Sequence, residues 1–251
     1  MYETRGLKNE KDIVRAINEK PFSRINQNLR HMLIRMYDYI EEDDIITAGL
    51  VEGRMKPDIF VEYRGEKHYI SVKEGRAETV HQQEISTFVQ ALKEYGCSNY
   101  IIKWVLFYFY SDGTLDGTGE RRYSHYQFRM HYYDEMQRFN EIINSDKELV
   151  RKITYHCLFQ GVRPEYIPAE YIYFGTPEYG VICSQAQIFR YLETKSCAYM
   201  RNVPHIGKLQ FRRHASYVGC DIRNEAYMSK IDFWWANLES DLRYITDCYC
   251  G

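Results

Sequence analysis

Asp58 follows Pro57, and Lys73 stands at the end of a second apolar run. A carboxylate beside an ammonium suits phosphodiester hydrolysis. The carboxylate can hold a divalent ion, which polarises the phosphate and lowers the pKa of a bound water. The lysine orients that water or stabilises the developing negative charge. Ser71 stands where a second acid would help to hold the ion, and it supplies only a neutral hydroxyl. One carboxylate is a sparse site for Mg2+, which takes oxygen ligands and usually one or two carboxylates. An aspartate next to a lysine is, in proteins at large, more commonly a simple salt bridge.

Whether the two meet depends on the hairpin that carries them. Arg64-Gly65-Glu66-Lys67 is the natural turn, with glycine at the first central position of a tight type II′ hairpin. That turn sets Ile59 opposite Val72, Val61 opposite Ile70, and Asp58 opposite Lys73. Opposed residues share a face with Cβ atoms about 5 Å apart. Ile59, Val61, Tyr63, His68, Ile70 and Val72 then make a core face, and Asp58, Phe60, Ser71 and Lys73 the other. The apolar alternation and the turn agree on this.

A missing acid must come from elsewhere. Residues 79–95 read as an amphipathic helix, with Thr79 and Gln82 at capping-box spacing and Ile85, Phe88, Val89 and Leu92 as its stripe. Glu84 falls in its second turn at the margin of the stripe, and a residue there can lean toward the sheet. Glu74, Glu78 and Glu52 are alternatives that read as surface acids.

Pro57-Asp58 and Ser71-Val72-Lys73 resemble the signature of the PD-(D/E)xK phosphodiesterase superfamily, with serine in place of the acid. Some restriction endonucleases of that superfamily carry SxK and use a glutamate of the next helix as the replacement ligand, and Glu84 lies close to that position. The resemblance spans about residues 50–95. It implies a restriction-endonuclease-like fold, an α/β architecture with a mixed central sheet flanked by helices. It further implies Asp58 and Glu84 as metal ligands, Lys73 and Ser71 beside them, and Mg2+ as cofactor with Mn2+ able to substitute.

The rest of the chain sets limits. At 251 residues, with 27% charged and 45% hydrophobic residues, it is a globular chain with a substantial core. A net charge of −2 argues against a protein coated in positive charge, without excluding a local basic face. Seven scattered cysteines without a CxxC pair speak against a disulfide framework or structural zinc. No apolar stretch reaches membrane-spanning length and no signal-peptide core opens the chain, so a cytoplasmic location is expected.

Helices are expected over 9–20, 22–42, about 124–146, 184–193 and 236–247, and strands over 45–52, 58–73, 170–174, 180–183 and 227–235. The stretch 99–110 is nearly all apolar, as a strand buried on both faces would be. With no linker or repeat, residues 1–251 are expected to form one domain. Its catalytic core lies at about 45–110, and residues 150–251 complete the sheet.

Between 195 and 223, six cations (Lys195, Arg201, Lys208, Arg212, Arg213, Arg223) face one acid, Asp221, with aromatic residues interleaved. Such clusters neutralise phosphates and supply sequence-independent affinity for nucleic acid. A smaller run holds Arg121, Arg122, His125 and Arg129. Near the hairpin, Arg54, Lys56 and Arg76 suit backbone phosphates, and His81, Gln82 and Gln83 suit the scissile phosphate or its water. The reading that follows is a Mg2+-dependent DNA endonuclease of restriction or phage-defence type. It would act as a homodimer, because two-fold DNA sites match two-fold proteins. The rivals are an inactive DNA-binding or assembly subunit with the same fold, and a structure-specific or RNA-directed nuclease.

Overall fold

The computed structural model describes residues 5–53, 55–75, 79–120, 122–194, 203–213 and 229–248. The chain divides into two compact units, one of residues 1–78, 158–194 and 237–251, the other of residues 79–157 and 195–236.

The first unit is built on a six-stranded mixed sheet in the order β1-β2-β3-β4-β6-β7. Its strands are β1 (Lys20–Pro21), β2 (Ile45–Leu50), β3 (Ile59–Tyr63), β4 (Glu66–Lys73), β6 (Tyr171–Gly175) and β7 (Gly180–Ser184). Every neighbouring pair is antiparallel except β4–β6. Helices α1 (Arg5–Ile17), α2 (Gln27–Tyr37), α8 (Gln185–Thr194) and α9 (Leu238–Cys248) pack on it.

The sequence pattern explains how α1 and α2 seat. Asn9, Ile13 and Ile17 recur every four residues and form the buried side of α1. Asn26 caps α2 by accepting from Leu29 N at 2.9 Å. Leu29, Met32, Leu33, Met36 and Tyr37 then meet Ile46, Ile59, Val61, Ile70 and Tyr173 of the sheet in one core. Cys183, alternating to the opposite face of β7, donates to the Leu242 carbonyl of α9 at 3.3 Å.

The second unit has a four-stranded antiparallel sheet, β5-β10-β9-β8. These strands are β5 (Thr79–Glu84), β8 (His205–Ile206), β9 (Leu209–Arg213) and β10 (Lys230–Trp235). Its helices are α3 (Ile85–Glu94), α4 (Asn99–Tyr110), α5 (His125–His131), α6 (Tyr133–Ser145) and α7 (Lys147–Tyr155). Phe88, Trp104, Phe128, Phe139, Phe211 and Phe233 make its aromatic core.

Four expectations are corrected. The hairpin pairs Ile59 with Ile70 and Val61 with His68, two residues away from the expected register. The turn is Arg64-Gly65, with φ of 51° and 84°, so both central residues are left-handed, as in a type I′ turn. Because the slip is even, every side chain keeps its face. Residues 99–110 form a helix. Ser98 caps it through Ile101 N, and Ile101, Ile102, Trp104, Val105, Tyr108 and Phe109 are its buried side. Residues 79–84 are a strand, and Gln82 donates to Asp232 Oδ1 of β10 at 2.8 Å instead of capping a helix. The expected helices 22–42 and 124–146 are each interrupted. A 3-10 turn at Phe22–Arg24 precedes α2, and Tyr132 separates α5 from α6.

Two glycines test the hairpins. Gly175 has φ of 145°, and a Cβ there would stand 2.2 Å from the Tyr179 carbonyl oxygen, whereas one at Gly65 would meet nothing within 4 Å. Gly175→Ala is expected to destabilise the fold by about 3 kcal/mol and Gly65→Ala by roughly 1 kcal/mol. Urea denaturation midpoints measure both, and equal shifts would refute the contact argument.

Candidate active site

Asp58 lies just before β3, where the hairpin ladder ends. Pro57 has no N–H to continue the ladder. The Asp58 carboxylate takes the place of the next backbone acceptor. Its Oδ2 accepts from Val72 N at 2.6 Å, Ser71 Oγ at 3.1 Å and Lys73 Nζ at 3.4 Å. Lys73 Nζ also donates to Ser71 Oγ and to the Val72 carbonyl, each at 2.9 Å. All three protons of the ammonium are therefore placed. Asp58 Oδ1 makes no hydrogen bond in this set, and a quarter of the side chain remains exposed. The expected face is thus assembled, with Ser71 in the position opposite Asp58 and Lys73 arching over it.

An acid that the sequence did not single out belongs to the same unit. Glu10 of α1 is half-buried, and the charges of Asp58, Lys73 and Glu74 all act on it. Two anchors fix it. Asn9 Nδ2 donates to the Gly175 carbonyl at the end of β6 at 2.8 Å, and Arg5 pairs with Glu74 at 3.1 Å. Burial first, and then the charge of Asp58, push the Glu10 carboxyl up to about 7, against the pull of Lys73. Acids crowded in this way favour a cation between them. Asp58 and Glu10 are the two acids this field couples most strongly. Among the described residues no three acids, histidines or cysteines gather as a metal-holding cluster, so such an ion would keep water or substrate oxygens.

The other expected residues are placed as follows. Glu84 belongs to the second unit, at the end of β5. It precedes α3 instead of lying in a second helical turn, and it stands across from Lys230 on β10. Gln83 alternates inward. It is 5% exposed, and its Oε1 lies 2.8 Å from His156 Nε2 and 3.2 Å from His81 Nε2. Lys208 and Arg213 are also buried. Arg212, on the opposite face from Arg213, lays its guanidinium over the Trp234 ring at 3.7 Å. The expectation of nucleic-acid contact took the cations of 195–223 together, whereas a strand alternates its side chains, so Arg212 and Arg213 face opposite ways. Lys56 is half-buried beside Gly161. Arg54, Arg76, Arg223, Glu78, Lys195, Arg201 and Arg121 lie outside the described residues. No described helix is long and apolar enough to cross a membrane.

No family model matches the chain, and no curated protein matches it. Among solved structures, the crystal structure of restriction endonuclease MspI in complex with its cognate DNA is similar at a TM-score of 0.52. The match covers 82% of this chain and 76% of that one at 12% sequence identity. Likeness at that identity is a likeness of fold. With its mixed sheet flanked by helices, the chain has the restriction-endonuclease-like fold.

Proposed function

We propose that the protein is a metal-dependent DNA endonuclease of restriction or phage-defence type, acting as a homodimer. The observation that carries this reading is the Asp58 carboxylate. One oxygen is held by Val72 N, Ser71 and Lys73, and the other is left open beside an acid whose charge is held unfavourably. The fold it shares with a protein solved on its cognate DNA supports the same reading.

In this reading Asp58 and Glu10 hold Mg2+, or Mn2+ in its place. The ion would supply Lewis-acid polarisation of the phosphate and an acidified water. Lys73, pinned by Ser71 Oγ and the Val72 carbonyl, is set to orient that water and offset negative charge developing on the phosphorus oxygens. Ser71 then acts as a positioning residue for both partners. Glu84 is the rival second ligand. Lys56 and Arg212, with Arg54, Arg76 and Arg223, are the proposed backbone contacts.

Cleavage of plasmid DNA with Mg2+ separates these roles. Asp58→Asn and Lys73→Ala are each expected to lower the rate at least a hundredfold. Glu10→Gln is expected to cost more than tenfold, and Glu84→Gln less than threefold. The reverse order for the two glutamates would return the ligand to Glu84. Asparagine is preferred at 58 because alanine would strand the Val72 N–H at a cost of about 1–3 kcal/mol. DNA binding without cleavage by the wild type would support the inactive-subunit alternative.

Glu10 also carries a pH signature. Its carboxyl titrates near 7 in the fold, against an ordinary value of 4.5. The folded state therefore binds the proton more tightly, and stability is lost as pH rises from about 4.5 through 7. In metal-free buffer, Glu10→Gln is expected to stabilise the protein at pH 8 by about 1–2 kcal/mol, after allowing for solvent screening. At pH 4.5 the gain should vanish, and Mg2+ should narrow the difference at pH 8. Thermal melts across that range check it, and a gain independent of pH would contradict the assignment.

A further inference from the structure

Helix α1, Lys20 after it and the turn between β6 and β7 line a cleft of about 530 Å³ in the first unit. Arg5, Lys8, Asp12 and Arg15 of α1 follow one another at spacings of three and four, so they share one side of the helix. Thr176, Pro177 and Glu178 of the turn belong to the same lining. That turn is held in place. Asn28 Nδ2 donates to the Pro177 carbonyl at 3.2 Å, and Asn9 Nδ2 to the Gly175 carbonyl at 2.8 Å. The cleft is therefore built into the fold.

Its lining carries four cations, Arg5, Lys8, Arg15 and Lys20, against three acids, Asp12, Glu74 and Glu178. The acids are all engaged. Asp12 Oδ1 accepts from Arg15 at 2.8 Å, Glu74 pairs with Arg5 at 3.1 Å, and Glu178 Oε2 accepts from Thr176 Oγ1 at 2.8 Å. The lysines are not matched in this way. Among the described residues Lys8 pairs with no carboxylate, and the Lys20 ammonium donates to the Ala16 carbonyl at 3.1 Å. The charge left uncommitted at the cleft is positive, and its complement is an anion.

The cleft also adjoins the candidate active site. Glu74, in its lining, directly follows Lys73, and its charge acts on Glu10. Asn9, also in the lining, directly precedes Glu10. From Arg5 to Arg15 the helix advances about 15 Å, a length over which one strand of a DNA duplex presents about four phosphates. Lysine ammonium groups meet phosphates as point charges and carry no sequence information.

We infer that this cleft receives the phosphodiester backbone of one DNA strand beside the scissile phosphate, with Lys8 and Lys20 as its contacts. The identity of the occupant rests on the hydrolytic reading, whereas the cleft and its uncommitted charge do not.

Anisotropy of a fluorescein-labelled duplex, titrated with the full chain in metal-free buffer over a series of NaCl concentrations, tests it. Lys8→Gln and Lys20→Gln are each expected to weaken binding about five- to tenfold in about 0.1 M salt. Each should also lower the slope of log affinity against log salt by about 1. The losses should be the same for duplexes of unrelated sequence. Lys8→Arg, which keeps the charge, should stay within about twofold of the wild type. Lys103→Gln removes an exposed lysine of the second unit and should leave affinity and slope as they are. Affinity and slope unchanged in both Lys8→Gln and Lys20→Gln overturn the inference. So does an absence of binding by the wild type, or an equal loss in Lys103→Gln. Displacement of the DNA by poly-L-glutamate at the same concentration of charge overturns it too, in favour of an acidic protein as occupant. Binding without metal leaves hydrolysis out of the measurement. A failure of the hydrolytic reading therefore shows in the plasmid assay, and a failure of this inference in the titration.

Discussion

The acceptance of the Val72 N–H by the Asp58 carboxylate is the contact on which the proposed site depends. It ends the β3–β4 ladder with side chains where backbone would otherwise serve: the carboxylate accepts from Val72 N, and Lys73 Nζ donates to the Val72 carbonyl. One carboxylate oxygen is thereby committed to structure, and about a quarter of the side chain remains exposed. A charged acceptor on a backbone N–H is among the stronger hydrogen bonds, so the carboxylate is firmly held. Lys73 is placed by the same arrangement, since its ammonium spans Asp58, Ser71 and the Val72 carbonyl.

Opposing demands meet at α1. Its buried side is apolar except for Asn9, whose amide reaches the Gly175 carbonyl and sets how the helix docks. That docking carries Glu10 into the field of Asp58 and Glu74, where its ionised form is disfavoured. Stability alone would select a neutral residue there. In the proposed site, a bound cation would offset that cost.

What the sequence disclosed and what it hid follow from one geometric distinction. The Asp58–Ser71–Lys73 grouping was legible because strand alternation has a period of two, and a register slip of two residues leaves faces unchanged. Glu10 was not legible, since its approach to the hairpin depends on how a remote helix docks. The run 99–110 was misread because an unbroken apolar stretch has no period, so only its twelve-residue length favoured a helix. At 79–84, a capping-box spacing competed with strand pairing to β10, and the pairing won through a partner far along the chain. The density of cations at 208–213 was legible, but their directions were not. Arg212 lies on Trp234 while its neighbour Arg213 turns inward.

The parallel β4–β6 pairing has a consequence for how the first unit forms. Its two strands are separated by residues 74–170, so the six-stranded sheet closes only after that whole excursion has been made. The entropic penalty grows slowly, about 0.6 kcal/mol for each doubling of the loop, so the native state tolerates it. The kinetic penalty is larger, because contacts so far apart in sequence form late. During synthesis β4 emerges with its outer edge unpaired and waits for β6. Until then the hairpin that carries Asp58 and Lys73 is an open sheet edge, exposed to pairing with another chain.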